Sequence, residues 1–293
     1  TMKNRNILIS GAGIAGLTLA YWLQKWGFSP TIIEKRPDFH DRGYMIDFYG
    51  SGFDVIQKMG LVEKLQERSN QYPVKKLIFV DRNAKPHATL DVEKMRELLD
   101  HKYFPILRGD LESVIYDSVK GDVPFRFNTS ITRIDNQPDG VVVEFSNGES
   151  QQYDLVIGAD GIHSNVRKQL WGAESQFNRF LGFYVACSVI DNFLGNEDTF
   201  YGHFEPNVQA TIFSIGGNQL ATFFAFRSEK LNVHGRSAQI DVLTNVFGSA
   251  GWIMPQLLEA TKRTDDLFFD AVAQIQLNEW HKGRVALVGD ACQ

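Results

Sequence analysis

Apolar and polar positions alternate along this chain in two regimes. The first quarter switches between short apolar runs and helix-period stretches, whereas the middle is dominated by strand-like segments. Residues 6–10, NILIS, predict a short buried strand. A glycine turn follows at 11–16, then an amphipathic helix over 17–26 closed by Gly27, then a second strand over 31–34. Together these make a βαβ unit of about 30 residues. Helices are predicted over 52–60 and 61–68, and strands over 74–90 with a turn at Asp81-Arg82-Asn83. Two more helices follow, over 91–101 and 109–120. A meander takes in 125–128, 132–135, 140–145 and 151–157, with turn residues at Pro138-Asp139-Gly140 and Ser146-Asn147-Gly148. Residues 180–227 read as strand almost throughout. Helical patterns return at 238–247 and 255–260, and a last strand over 284–288 runs into Gly289-Asp290-Ala291. No repeat and no low-complexity linker separates the two regimes, so the predicted architecture is α/β with two interleaved parts.

Composition narrows the function classes. The 293 residues carry a net charge of −5, which leaves no electrostatic footprint for nucleic acid. Cys187 and Cys292 lie far apart and form neither a metal box nor a redox CxxC pair, so a reducing compartment is expected. The start of the chain shows no cleavable leader pattern, and no apolar run approaches the ~20 residues of a membrane helix. A soluble, cytoplasmic protein without a membrane or nucleic-acid partner is therefore expected. The seven histidines are scattered without metal-ligand spacing, so no metal is expected either. Phenylalanine is over-represented, at 22 residues against 9 Tyr and 5 Trp, and much of it falls in the strand-rich middle.

The first candidate chemistry is Gly11-Ala12-Gly13-Ile14-Ala15-Gly16, a GxGxxG turn with a strand before it, a helix after it and Glu34 at the end of the next strand. One glycine makes the tight turn, one lets the backbone approach a pyrophosphate and one lets helix and strand pack closely. The phosphate then sits at the positive end of the helix, and the acid accepts hydrogen bonds from ribose hydroxyls. This predicts dinucleotide binding and leaves FAD and NAD open. Two aspartate motifs follow the same logic. Gly158-Ala159-Asp160-Gly161 ends one buried strand and is followed by Ser164 and Arg167, and Gly289-Asp290-Ala291 ends another. A carboxylate at the carboxyl end of a strand is placed to bind polyhydroxyl ligands, but can equally be a plain helix cap.

With these three motifs in order, the chain resembles the single-component FAD-dependent aromatic hydroxylases typified by para-hydroxybenzoate hydroxylase. The resemblance runs from Ile7 to Ala291. Within that family, the stretch Arg42-Gly43-Tyr44-Met45-Ile46-Asp47-Phe48-Tyr49-Gly50-Ser51-Gly52 looks like the tetracycline-inactivating branch. The resemblance implies FAD as cofactor. Gly11, Ala12, Gly13, Ile14, Ala15 and Gly16 would surround the pyrophosphate, with Glu34 at the adenosine ribose and Lys35 or Arg36 by the adenine. It further implies Arg108 at the ribityl and phosphate region, Gly289 and Asp290 at the ribityl chain and Asp160 in the loop near the pyrophosphate. Arg42 and Asp47 would lie beside the isoalloxazine, an ordinary surface ion pair being the alternative reading for those two.

The implied reaction is hydroxylation of an aromatic or polyketide-like small molecule. NADPH or NADH serves as transient donor, and dioxygen supplies the inserted atom through a hydroperoxide at flavin C4a. A dry site is needed, and Phe183, Phe193, Phe204, Phe213, Phe223, Phe224 and Phe226 are candidates to line it, with ordinary core packing as the alternative. His203, Phe213 and Phe224 are the candidate substrate contacts, a hydrogen-bonded structural role being the alternative for His203. The expected domains are an FAD-binding part at 1–72, 102–177 and 262–293, with a smaller sheet-rich substrate part at 73–101 and 178–261. Against the family pattern, the chain is expected to lack a closing segment after Ala291. Two other functions fit the same residues. One is a flavin-dependent reductase or dehydrogenase that inserts no oxygen. The other is a non-catalytic protein that binds a planar ligand.

Overall fold

The structure is a computed structural model that describes residues 5–39, 44–72, 74–265 and 267–293. The chain divides into two compact units, one made of residues 1–41, 111–179 and 273–293 and the other of 42–110 and 180–272.

In the first unit the predicted βαβ motif forms. Asn6–Ser10 pairs in parallel with Ser29–Ile33, and the helix Ile14–Lys25 makes the crossover that a parallel pair requires. Ile7, Leu8 and Ile9 are all buried, as expected of a central strand covered on both faces. Leu155–Gly158 adds in parallel on the other side of Asn6–Ser10, and Val285–Leu287 adds in parallel to that. Among the described residues the sheet has six strands, completed by His281–Lys282 and Phe125–Arg126 at its edges. The glycine turn and both aspartate motifs thus leave the carboxyl ends of neighbouring parallel strands, although they lie up to 279 positions apart in sequence. The single strand expected over 151–157 is instead two. Ser150–Tyr153 belongs to a separate antiparallel sheet with Gly140–Phe145 and Ile131–Gln137, while Leu155–Gly158 enters the parallel sheet. The break falls at Asp154, whose N–H donates to the Asn6 carbonyl at 2.8 Å while its Oδ2 accepts the Asn6 N–H at 2.9 Å.

In the second unit a sheet of seven strands, counted among the described residues, runs in the spatial order Leu267–Ile275, Asn178–Asp191, Gln219–Arg227, Val208–Gly216, Thr199–Glu205, Lys76–Val80, Pro86–Asp91. One face packs on the helices Arg236–Phe247 and Met254–Arg263, burying Phe224, Phe226, Leu243, Phe247, Met254 and Leu257 together. The other face carries Phe213 and Ala221 against Val74, Val92 and Tyr103. Met45–Tyr49 and Tyr103–Leu107 form a two-stranded antiparallel pair. Neither strand was expected, nor was Leu267–Ile275. They are why residues 42–72, 102–110 and 262–272 fall in the second unit rather than following the domain boundaries expected from sequence. No helix among the described residues is long and apolar enough to cross a membrane.

Candidate cofactor and substrate sites

The three glycines of the first turn are glycine for different reasons. Gly11 has φ +114°, and a Cβ there would lie 2.3 Å from the Ala159 carbonyl oxygen. A Cβ on Gly16 would lie 2.1 Å from the Gly11 carbonyl oxygen. Both positions are fixed by close packing of strand, turn and helix. Gly13 is different. Its φ of −83° suits any residue, and a Cβ there would meet only Glu112 Oε1, at an ordinary 3.6 Å. Nothing in the protein's own packing demands glycine at that position. It opens the helix Ile14–Lys25, whose first turn has no side-chain cap and no acidic residue. The turn therefore keeps both the space and the N–H donors that an anionic group uses at a helix start.

Glu34 is buried at the edge of this turn. Its Oε2 accepts the Ala12 N–H at 3.0 Å, and its Oε1 accepts the Arg36 N–H at 3.0 Å and the Arg36 Nε at 3.2 Å. A carboxylate has about four acceptor positions, so one remains for a ligand hydroxyl. On the other flank Gly289 stands so close to the helix start that a Cβ on it would lie 2.9 Å from Ala15 Cβ. The structure thus brings Gly11 to Gly16, Glu34, Arg36 and Gly289 together, with the Asp290 side chain exposed beside them and Lys35 exposed next to Glu34. Arg42 lies outside the described residues.

Asp160 is held as a helix cap. Its Oδ2 accepts the N–H groups of Asn165 at 2.8 Å and Val166 at 3.1 Å, while Ser164 donates to Oδ1 and accepts the Arg167 N–H at 3.0 Å. Arg167, fully buried, donates from Nη1 to the Ala291 carbonyl at 2.9 Å and from Nη2 to the Ile162 carbonyl, with Glu174 at 3.4 Å. One guanidinium thereby ties the two aspartate loops to each other. Burial pulls its pKa down, and the Glu174 carboxylate pushes it back up.

The second unit contains a cavity of about 180 Å³. Phe200, Phe213, Phe223, Met45 and Leu77 supply apolar walls, while Gln209, Thr211, Thr222, Asp47 and Tyr103 supply polar groups. Asp47 lies on Met45–Tyr49 and accepts the Tyr103 hydroxyl at 2.6 Å. Phe213, a candidate substrate contact, lines this cavity; the other two do not. Phe224 points to the opposite face of the sheet, where its ring meets Phe247 at a centroid distance of 5.1 Å, because adjacent strand residues face opposite sides. His203 is buried with Nδ1 3.2 Å from the Val80 carbonyl and Nε2 3.5 Å from Glu205 Oε1, and its ring stacks on Trp252, away from this cavity's lining. The expected phenylalanine lining also divides: Phe183, Phe193 and Phe204 are exposed, and Phe226 is core. Arg108 opens the helix Arg108–Val119, its N–H donating to the Tyr44 carbonyl at 2.9 Å.

Comparison with known proteins decides what this arrangement belongs to. Residues 4–196 match the FAD binding domain family. A flavin-dependent monooxygenase of Legionella longbeachae is 35% identical over 292 residues, which cover 99% of this chain and 74% of that protein. The chain belongs to the FAD-dependent monooxygenase family. An uncharacterized protein of Mycobacterium tuberculosis is 34% identical over 98% of this chain and 78% of its own length. The crystal structure of the tetracycline destructase Tet(55) superposes with a TM-score of 0.88 at 31% identity, covering 99% of this chain and 74% of that one.

For a flavoprotein monooxygenase the glycine turn fits the cofactor, since the space at Gly13 and the uncapped helix start suit a pyrophosphate and Glu34 keeps an acceptor for a hydroxyl. Sequence reasoning did not find three contributors. Glu112 beside Gly13 is buried in a helix whose pattern gives no sign of it. Tyr103 sits in a strand that was not predicted. In the sequence Arg167 stands out only as part of a motif, and its tie to Ala291 depends on a pairing 124 residues apart.

Proposed function

We propose that this monooxygenase takes reducing equivalents from NADPH or NADH and hydroxylates an aromatic or polyketide-like small molecule with dioxygen. The observation that carries the cofactor half is Gly13, a glycine with no packing reason to be one, at an uncapped helix start beside Glu34. The chemistry supplied by bound FAD is two-electron redox and activation of dioxygen. The chain's own residues bind and orient. The N–H groups at the start of Ile14–Lys25 meet the pyrophosphate, Glu34 accepts from the adenosine ribose, and Arg36 braces Glu34. Asp290 accepts from the ribityl hydroxyls, with Arg167 holding its loop through the Ala291 carbonyl. In the second unit the aromatic walls of the cavity exclude water from a substrate ring, and Asp47 offers it an acceptor. The family resemblance to tetracycline-inactivating enzymes and the match to a tetracycline destructase make tetracycline the first substrate to try.

The test is purification followed by a visible spectrum, then NAD(P)H oxidation with and without tetracycline and with and without oxygen. The expected result is a yellow protein with flavin absorbance, oxygen-dependent NAD(P)H consumption stimulated by substrate, and a product heavier by one oxygen atom. Product formation under strict anaerobiosis overturns oxygen insertion. A colourless protein that cannot be reconstituted with FAD overturns the cofactor assignment.

A further inference from the structure

The cavity of the second unit has an uneven chemistry. Among its described lining residues Asp47 carries the only formal charge, and the remainder are aromatic, aliphatic, amide or hydroxyl groups. At about 180 Å³ it has room for an aromatic ring. The carboxylate is not left to swing. Tyr103 is 2% exposed, packs among Val74, Val92 and Phe213, and donates its hydroxyl to Asp47 Oδ1 at 2.6 Å. The two strands that carry the pair are themselves in register, with Asp47 opposite Pro105 and Tyr49 opposite Tyr103. One oxygen of Asp47 is thus engaged by a buried phenol, and the carboxylate, itself solvent-exposed, stands at the cavity wall. Burial and the adjacent Asp47 hold Tyr103 well above the ordinary tyrosine range, so it stays a donor at any working pH. Arg96 acts on Tyr103 from outside the lining, and its guanidinium pairs with Glu93 at 3.3 Å.

We propose that the Asp47–Tyr103 pair selects substrates by charge: the held carboxylate accepts a hydrogen bond from an O–H or N–H on an uncharged or cationic aromatic ring and turns away aromatic anions. Tyr103 is the positioning residue, acting through Asp47. The proposal rests on reading this cavity as the substrate site. Its physical basis is that an anion placed beside a carboxylate is repelled, whereas a neutral donor or a cation gains a charge-assisted hydrogen bond.

The experiment uses three phenols of matched size, tyramine as cation, 4-ethylphenol as neutral probe and 4-hydroxyphenylacetate as anion. Their affinities for the FAD-loaded enzyme are measured by titration calorimetry. Tyramine and 4-ethylphenol are expected to bind at least ~10-fold more tightly than 4-hydroxyphenylacetate. In Asp47→Asn the three affinities are expected to draw within about threefold of one another. In Tyr103→Phe the carboxylate remains but is no longer held, and the ratio is expected to fall between those of wild type and Asp47→Asn. A ratio of affinities is unmoved by a general loss of stability, and circular dichroism melting of each variant confirms that it is folded. Equal binding of tyramine and 4-hydroxyphenylacetate by the wild type overturns the proposal, as does an unchanged ratio in Asp47→Asn or no binding by any probe. If the enzyme is yellow and consumes NAD(P)H with oxygen yet shows no charge ratio, charge selection alone has failed. If it neither holds FAD nor consumes NAD(P)H, the functional reading itself has failed.

Discussion

The two units prepare for a ligand with different parts of the polypeptide. In the first, the candidate site is mainly backbone: N–H groups at a helix start, a glycine turn packed against the Ala159 carbonyl, and carboxylates whose main partners are main-chain N–H groups. In the second it is side chain: aromatic walls on one face of a sheet and a carboxylate held by a phenol. A backbone site fixes which residues must be absent, since the critical feature is a missing Cβ. A side-chain site fixes which groups must be present, and the same strands can carry a different set without losing the sheet. Substrate range in such a protein is therefore expected to vary through the second unit while the first stays constant.

The sharpest break of this comparison lies within the second unit, between neighbouring phenylalanines on opposite faces of one strand. Phe224 is 1% exposed and packs on Phe247, so Phe224→Ala is expected to cost ~3–5 kcal/mol of stability in denaturant unfolding. Phe223 is only partly buried and lines the cavity, so Phe223→Ala is expected to cost roughly half that or less and to weaken aromatic-probe binding instead. If both variants lose the same stability, the division of the sheet into a core face and a ligand face is wrong.

The corresponding pair in the first unit is Gly16 and Gly13. A Cβ on Gly16 would collide with the Gly11 carbonyl at 2.1 Å, and Gly16→Ala is expected to destabilise the FAD-free protein on the order of 3 kcal/mol. Gly13→Ala is expected to change that stability by about 1 kcal/mol or less. It is nevertheless expected to weaken FAD binding at least ~10-fold, read by fluorescence titration of the FAD-free protein. Normal FAD affinity in Gly13→Ala would show that the space there serves no ligand. Arg167→Met comes next. It strands the Ala291 and Ile162 carbonyls, for an expected loss of ~2–3 kcal/mol, and loosens the Asp290 loop, so stability and FAD affinity should fall together. Loss of stability with unchanged FAD affinity would reduce Arg167 to a packing residue.

This difference also explains what could be read from the chain. The glycine turn, Glu34 and the two aspartate loops were legible because backbone requirements leave a local signature: a glycine at a given offset from a strand, an acid at the end of the next. The βαβ unit followed from the same few residues. The cavity was not legible. Phe213 and Phe224 are both aromatic residues in strand-like runs, and only the register of the folded sheet assigns one to the cavity and the other to the core. Met45–Tyr49 and Tyr103–Leu107 escaped because each is five residues long and finds its partner more than fifty positions away. Asp47 was singled out by resemblance alone. Tyr103, which gives it a fixed position, carries no motif.

The smallest expected effect concerns ionisation, and it separates a held phenol from an ordinary one. Burial, then the hydrogen bond to Asp47, raise the Tyr103 pKa above the ordinary tyrosine value of 10 in the folded state. Above that value the unfolded chain releases the proton while the folded chain keeps it. The unfolded state then binds fewer protons and stability must fall as pH rises, whereas below it the contribution is fully present. One such proton corresponds to a slope of about 1.4 kcal/mol per pH unit. Burial also pushes the Cys187 thiol up to about 12, which adds to the same alkaline loss. The comparison is therefore wild type against Tyr103→Phe, in which the cysteine contribution cancels. Urea unfolding between about pH 10 and 11 is expected to show a shallower decline for the variant, by about half a proton at pH 10 rising to about nine-tenths of a proton at pH 11. Parallel slopes would mean that Tyr103 titrates alike in both states, and then the phenol does not hold Asp47 in place.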